Sequence, residues 1–368
     1  MKLEKGEISN FQLAVLILSF MQSMVLTINF AYSITKHDTW IVILAALVIT
    51  LLLGLLYTSI AQKFPGQNLI QINDIVFGPY IGKVITVLYL WFFLQLTIHF
   101  MYFFNSFWIT YVMPETPRLA FLIMFALICA MAVRGGIEVI TRCSFLLTVI
   151  VAATSIVITL LLIGDLDFTN LLPILECSPM EFLQGLHIIL AISFCDIVVF
   201  LMIFPSAAKK RQIKKPMLIS ISLSTLQGLL VTVRASTVLG IRIANTPAAS
   251  FAVSRQIEIA NILTRLDILI AIALLITFFM KVSIYYYVTV LGIAQTLKLR
   301  SYLPLVVPVG ILCVAIATQL YPSDMEQFYA GIYIWPFNAV IHEILLPLVT
   351  FIIMAIRRLP KKEVENFQ

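Results

Sequence analysis

EFLQGLHIILAISFCDIVVFLMIFP, residues 181–205, is apolar over a length that crosses a bilayer, which takes about 20 helical residues. Asp196 stands close to its centre, directly after Ser193, Phe194 and Cys195. A carboxylate at that depth costs about 2.5–3.5 kcal/mol on insertion scales, so such a residue faces a partner or a water-filled cavity. Two roles follow for Asp196: a hydrogen-bond hub between helices, or part of a midplane site for a polar ligand or a proton.

The rest of the chain is built from similar material. Hydrophobic residues make up 61% and charged residues 11%, against about 45–50% and about 25% in an ordinary soluble domain. The expectation is an all-α polytopic membrane protein, a single transmembrane domain over residues 1–368. The net charge of +6 is what the cytoplasmic loops of such a protein carry, and it calls for the lipid bilayer and no nucleic acid as a partner. The five cysteines, Cys129, Cys143, Cys177, Cys195 and Cys313, form no C-x-x-C pair, so neither a disulfide framework nor a metal site is indicated. The first apolar run, Phe11 to Phe30, has no small-residue cleavage site behind it and reads as a retained helix. The patterns G-x-x-x-x-G-K-[ST], H-E-x-x-H and G-x-S-x-G are missing, so an enzyme is not expected, and no cofactor is implied.

Working outward from residues 181–205, apolar runs predict ten spans. They cover about Phe11–Ser33, Trp40–Ala61, Gly82–Tyr111, Leu119–Val133, Ser144–Ile163, Glu181–Pro205, Met217–Leu239, Asp267–Gly292, Leu303–Tyr321 and Tyr333–Ile356. Between spans 2 and 3, Gln62–Gly82 reads as a loop with a short interfacial helix. Ser250–Arg265 reads as an amphipathic helix lying on the membrane or capping the protein. Lys and Arg gather on one side, densest at Lys209, Lys210, Arg211, Lys214 and Lys215 and again in the tail at Arg357, Arg358, Lys361 and Lys362. The other side keeps only Lys36, Arg118, Arg242, Arg255 and Arg265, and it carries the acidic loop with Asp165, Asp167, Glu176 and Glu181. This bias places both termini in the cytoplasm.

Ten spans divide into five and five, about residues 8–163 and 181–357. An odd number per half gives the halves opposite orientation, as in an inverted repeat whose first helices are broken at the midplane. The polar centres fall in those two helices: Gln22 and Ser23, followed by Thr27, in span 1, and Ser193 to Asp196 in span 6. Broken backbone at that depth is tolerated where it lines a cavity. In span 3, Gln95, His99 and Tyr102 are spaced by four and three residues and share one helix face, which lines a pocket or forms a polar seam. Glu343, in span 10 beside His342, needs a partner and reads as a structural or proton-relay residue. The run Tyr285-Tyr286-Tyr287 in span 8 reads as packing.

Several short stretches, in their order and spacing, carry a family resemblance. They include Phe64-Pro-Gly-Gln-Asn-Leu69, Met113-Pro-Glu-Thr-Pro117, Glu138-Val-Ile-Thr-Arg-Cys-Ser144, Asn170-Leu-Leu-Pro-Ile-Leu-Glu176, Val198-Val-Phe-Leu-Met-Ile-Phe-Pro205, Phe279-Met-Lys-Val-Ser283 and Ile334-Trp-Pro336. Over nearly its whole length the chain resembles the B subunits of spore germinant receptors. These are the GerAB/GerKB-type spore germination permeases of the amino acid–polyamine–organocation (APC) superfamily. The resemblance implies a LeuT-like fold with interrupted helices 1 and 6. It also implies a larger membrane subunit (A type) and a lipoprotein subunit (C type) as partners, and a place in the spore's inner membrane. The implied role is sensing a small nutrient, an amino acid, with ligand-binding candidates Gln22, Ser23, Thr27, Gln95, His99, Tyr102, Ser193, Phe194, Cys195 and Asp196.

Lys281 lies in span 8, one of the helices that flank the sodium site of sodium-coupled LeuT-like proteins. A fixed ammonium there would stand in for the cation, or else pair with a carboxylate for stability; sequence alone does not bring it to Asp196. Lys281 and Glu343 are thus the cation-substitute or ion-coupling candidates. Two departures stand out. Span 1 lacks the glycines and proline that usually mark its break, and span 6 has Cys195-Asp196 where Gly-Glu is usual. The rival expectation on the same fold is a proton-coupled amino acid permease that transports its ligand.

Overall fold

The computed structural model describes residues 6–246, 248–255 and 267–359. Ser9 starts the first helix, α1 (Asn10–Met21). Its hydroxyl accepts from the Gln12 N–H, and the Gln12 side chain accepts from the Ser9 N–H, a reciprocal capping box. After an interruption at Gln22 and Ser23 the chain continues as α2 (Met24–Thr27) and α3 (Asn29–Thr35). It then turns into α4 (Thr39–Lys63), the interfacial α5 (Leu69–Phe77), the long α6 (Ile81–Tyr111), α7 (Arg118–Arg134) and α8 (Gly136–Leu161). The second half opens with α9 (Pro179–Ile189), whose winding loosens to a π turn over Leu190–Phe194 and tightens to a 3-10 helix over Cys195–Met202. It goes on through α10 (Lys214–Leu239), α11 (Ala249–Ser254), α12 (Asp267–Thr296), α13 (Leu303–Ala317), α14 (Asp324–Tyr333) and α15 (Trp335–Val340). A second π turn over Ile341–Leu345 leads to α16 (Leu346–Ile356).

Among the described residues, eight helical stretches are long and apolar enough to cross a membrane, and they match eight of the ten expected spans. The remaining two, spans 4 and 9, are α7 with 17 residues and α13 with 15, shorter than the usual span. These two pack against each other and against α6. The expected interfacial helix between spans 2 and 3 is α5. Beyond Arg255, the amphipathic helix expected over Ser250–Arg265 lies outside the described residues.

Both interruptions form without glycine. Gln22 and Ser23 keep right-handed helical dihedrals, φ −56° and −66°. The Ser23 hydroxyl donates to the Phe20 carbonyl at 2.6 Å and the Thr27 hydroxyl to the Met24 carbonyl at 3.1 Å. Such back-bonding takes up main-chain acceptors where the regular ladder changes. In span 6, Phe194 and Cys195 have φ −117° and −81°, so no left-handed residue is required and a Cβ at position 195 is tolerated. The break is a change of winding, which sequence reading based on glycine would not reveal.

The helix containing Asp196 sits at the centre: every residue from Ile188 to Phe204 is buried, whereas most of α8 is exposed or half-buried. On the face bearing the basic run, the N-terminal segment and the end of α4 are joined to the chain after Met202. Ile8 pairs in parallel with Ala207, its N–H donating to the Ser206 carbonyl and its own carbonyl accepting from Ala208, both at 2.9 Å. Asn10 donates to the Gln212 carbonyl at 2.9 Å and Gln62 to that of Arg211 at 2.8 Å. On the acidic-loop face, buried Asp38 accepts the N–H groups of Leu175 and Cys177 at 2.9 and 3.0 Å, which ties the loop to the turn between α3 and α4.

At Gly82, a Cβ would lie 2.6 Å from the Asn73 carbonyl oxygen on α5. Backbone cannot move aside as a side-chain tip can. Gly82→Ala should therefore lower stability by about 1–3 kcal/mol, read as a fall in the melting temperature of the purified protein. Gly164→Ala, with nothing within 4 Å of the new Cβ, should melt like the wild type.

Candidate functional site

Three interrupted or inner helices converge at the midplane. Lys281, on α12, is fully buried and its ammonium forms an ion pair with Asp196 Oδ2; Asp196 is 1% exposed. The Tyr285 hydroxyl, one turn further along α12, donates to the same oxygen at 2.8 Å. The ammonium also lies 4.7 Å from the Phe20 ring centroid, 4.8 Å from that of Phe100 and 5.9 Å from that of Tyr285, within cation–π range. The cation is therefore held by one carboxylate and a cage of three rings. Asp196 Oδ1 has no hydrogen-bond partner among the described residues.

Glu343 lies beside this pair. The π turn at Ile341–Leu345 buries it completely, and neither carboxyl oxygen has a partner among the described residues. It interacts electrostatically with both Asp196 and Lys281. Its carbonyl accepts from the Tyr57 hydroxyl at 2.5 Å. The adjacent His342 stacks on Phe92, centroids 4.5 Å apart and planes 2° from parallel, with Nδ1 2.9 Å from the Asn338 carbonyl.

A cavity of about 390 Å³ opens on the acidic-loop face, lined among others by Asn29, Phe30, Phe103, Ser106, Thr110 and Asp324. Below it lies a smaller cavity of about 50 Å³, lined by Thr27, Leu96, His99, Phe100, Ile192 and Trp335. Phe30, Phe103 and Gln327 line both and form the partition between them. Phe30 is wedged there, 5.2 Å from Phe328 and 6.1 Å from Phe103 by ring centroid, over the bare backbone of Gly331. Phe100 has one side in the lower cavity and is also a wall of the Lys281 cage. Thr27 and Ser193 share a hydrogen bond of 2.5 Å across the two interrupted helices.

The residues singled out from sequence do not all meet in one place. Thr27 and His99 line the lower cavity, and Ser193 is joined to Thr27. Phe194, Cys195 and Asp196 are buried in the core behind it. Gln95 accepts from Asn338 at 3.2 Å, His99 Nε2 lies 3.0 Å from the Tyr321 hydroxyl, and Tyr102 donates to Asp324 at 3.2 Å. Their shared face thus meets α14, α15 and the segment before them. Ser23 is used within its own helix. Gln22 points the other way, donating to Gln227 at 2.8 Å and to the Thr148 carbonyl at 3.3 Å. Sequence reading missed Phe20, Tyr57 and Phe100, which look like ordinary core residues. Tyr285, taken as packing, is a direct partner of Asp196; its four-residue step from Lys281 was the available signal.

These features define the class: a membrane protein of the LeuT transporter fold. Among solved structures, MhsT in complex with L-phenylalanine matches with a TM-score of 0.70, 11% identity, 96% of this chain and 89% of that one. A Na+-coupled sialic acid symporter in a substrate-bound outward-open state matches at 0.67, 11% identity, 96% and 90%. The chain belongs to the spore germination protein family (Spore_permease), whose family model matches residues 7–325. Spore germination protein KB of Bacillus subtilis (strain 168) is 28% identical over 366 residues, 95% of each chain.

Removing one member of a buried ion pair strands the other charge at a cost of about 3–5 kcal/mol, whereas removing both costs far less. Lys281→Met alone should lower the melting temperature of the purified protein sharply. The Lys281→Met, Asp196→Asn double variant should regain most of the loss. Equal melting of single and double variants would mean the pair is not what holds these helices.

Proposed function

We propose that this protein is the nutrient-sensing subunit of a spore germination receptor. It binds a small ligand of the amino acid class from the acidic-loop side and passes occupancy to a larger membrane subunit and a lipoprotein subunit. The termini are then cytoplasmic, the membrane is the spore's inner membrane, and the halves 8–163 and 181–357 form the inverted repeat. The observation that carries this reading is the Lys281–Asp196 pair. A cation that belongs to the chain balances the midplane carboxylate permanently and cannot leave with the ligand. Binding then needs no coupling ion, and no ion gradient is spent in moving the ligand on. Ligand entering past Phe30 and Phe103 would meet His99 and Phe100 on α6, and Thr27 and Ile192 on the two helices whose winding is already irregular. Favouring one arrangement of those helices is a population shift that a partner can read.

One observation favours a second reading, a proton-coupled permease: Glu343, buried beside the ion pair with neither oxygen satisfied among the described residues, has the surroundings of a proton-carrying carboxyl. Proteoliposomes separate the two. With a labelled amino acid panel, a sensor gives saturable binding that is the same in sodium and potassium, weakened in Thr27→Val, and without accumulation. Accumulation driven by a pH gradient and lost in Glu343→Gln would establish the permease and remove the sensor.

The orientation is tested at Cys177, in the acidic loop. Desolvation, reinforced by the neighbouring Asp38 carboxylate, pushes its thiol up to about 11. Because the thiolate is the nucleophile, labelling by a membrane-impermeant maleimide should be slow at pH 7 and accelerate as pH rises, with Asp38→Asn faster at every pH. In a Cys143→Ser background, labelling from the outer side of right-side-out vesicles is expected; protection there and labelling after inversion would reverse the topology.

A further inference from the structure

The vestibule has a second branch, distinct from the one leading to Thr27 and His99. Val25, Ser250 and Leu274 line both the vestibule and a crevice of about 40 Å³ between α2, α8, α10 and α12. At its end stands Arg234, on α10 and only 4% exposed. Nη1 donates to the Ser155 carbonyl and to the Thr159 hydroxyl, both at 3.0 Å. Nε has no partner among the described residues, and neither has the buried Ser155 hydroxyl, which lines the same crevice. No carboxylate among the described residues lies within ion-pair distance of this guanidinium. Gln22 and Gln227 complete the polar end, the oxygen of Gln227 accepting from Gln22. Val151, Ile158, Val231, Ile270 and Ala273 give apolar walls.

A buried cation inside a membrane protein pairs with an anion or marks a ligand pathway. Here the neutral hydrogen bonds occupy one Nη. They leave the edge formed by Nε and the other Nη, the geometry that takes a planar carboxylate by two parallel bonds. A volume of about 40 Å³ exceeds the roughly 10–15 Å³ that one water requires, and it suits a chloride ion or a carboxylate group with a short aliphatic tail against the apolar walls. We propose that this crevice is a binding site for a small monovalent anion, a monocarboxylate in particular, reached from the vestibule and held by Arg234 with Ser155. The site is separate from the Lys281–Asp196 pair and does not depend on what occupies the cavity beneath Phe30.

The test is binding of labelled acetate and labelled chloride to the purified full chain, in a buffer whose only other anion is a bulky sulfonate. The wild type should bind acetate saturably at one site. Arg234→Gln should weaken it by about tenfold or more, as expected for loss of a charged hydrogen-bond donor, and Arg234→Lys by less. Arg234 also braces α8, so a second variant guards against loss of fold. Ser250→Phe fills the passage from the vestibule while leaving the guanidinium in place, and it should abolish acetate binding in protein that still elutes as a single species. Displacement of acetate by glycine but not by glycinamide would identify the nutrient's own carboxylate as the occupant. Acetate or chloride retained under saturating glycine would identify a free ion. Either supports the site. Absence of saturable binding in the wild type, or binding unchanged in both Arg234→Gln and Ser250→Phe, overturns it.

Discussion

The buried ion pair between Lys281 and Asp196 is the constraint on which the arrangement of the core depends. Taking two charges out of water costs several kcal/mol for each ion. That cost is offset by strong attraction and by further polar and ring contacts to the two charged groups. Here Tyr285 donates a hydrogen bond to the Asp196 oxygen that pairs with Lys281, and three rings face the ammonium, while Asp196 Oδ1 is left without a partner among the described residues. One ring comes from α1, one from α6 and one from α12, so the interaction that compensates the lysine also locates three helices around the interrupted one. A purely apolar core would hold these helices together without saying which rotation each adopts; a charge pair of this kind admits few alternatives.

Around this centre the two faces differ. On the basic face, backbone pairing of Ile8 with the segment after Met202, together with Asn10 and Gln62, ties the start of α1 and the end of α4 to that segment. On the other face the vestibule descends to the ring of Phe30, which rests on Gly331 and divides it from the lower cavity. Phe100 then links that cavity to the ammonium cage. A ligand that displaces Phe30 or presses on Phe100 therefore acts on the packing around the charge pair. That continuity gives the proposed sensing role a physical route: contact at the cavity, a shift in an aromatic wall, and a change in two helices joined by Thr27 and Ser193.

The interruptions show where sequence reading succeeded for one reason and the structure for another. Polar residues at Gln22, Ser23 and Ser193–Asp196 correctly marked the two irregular helices, because a polar group at midplane depth needs an unusual environment. The lack of glycine and proline in span 1 makes a tight backbone approach to a ligand carboxylate less favourable. The interruption itself needs neither residue, since the backbone stays in the right-handed region and hydroxyls of Ser23 and Thr27 take up the displaced carbonyls. The third irregularity, the π turn around Glu343, left no mark that composition or spacing could show. An extra residue in a helical turn depends on what packs against it.

The amino-acid sequence by itself determined the membrane class, the interrupted helices 1 and 6, the family resemblance, and the candidacy of Asp196, Lys281 and Glu343. These are properties of how much apolar length the chain has and of how costly a charge is within it, and both can be read along one dimension. Only the tertiary structure decided which charges meet. Asp196 and Lys281 lie on different helices, and their pairing depends on rotations set by long-range packing. The same packing turned Gln22 toward α10 instead of the cavity, made Tyr285 a ligand of the carboxylate, and left Arg234 facing a crevice. Periodicity tells which side of a helix a residue occupies; what stands opposite that side is settled by the fold.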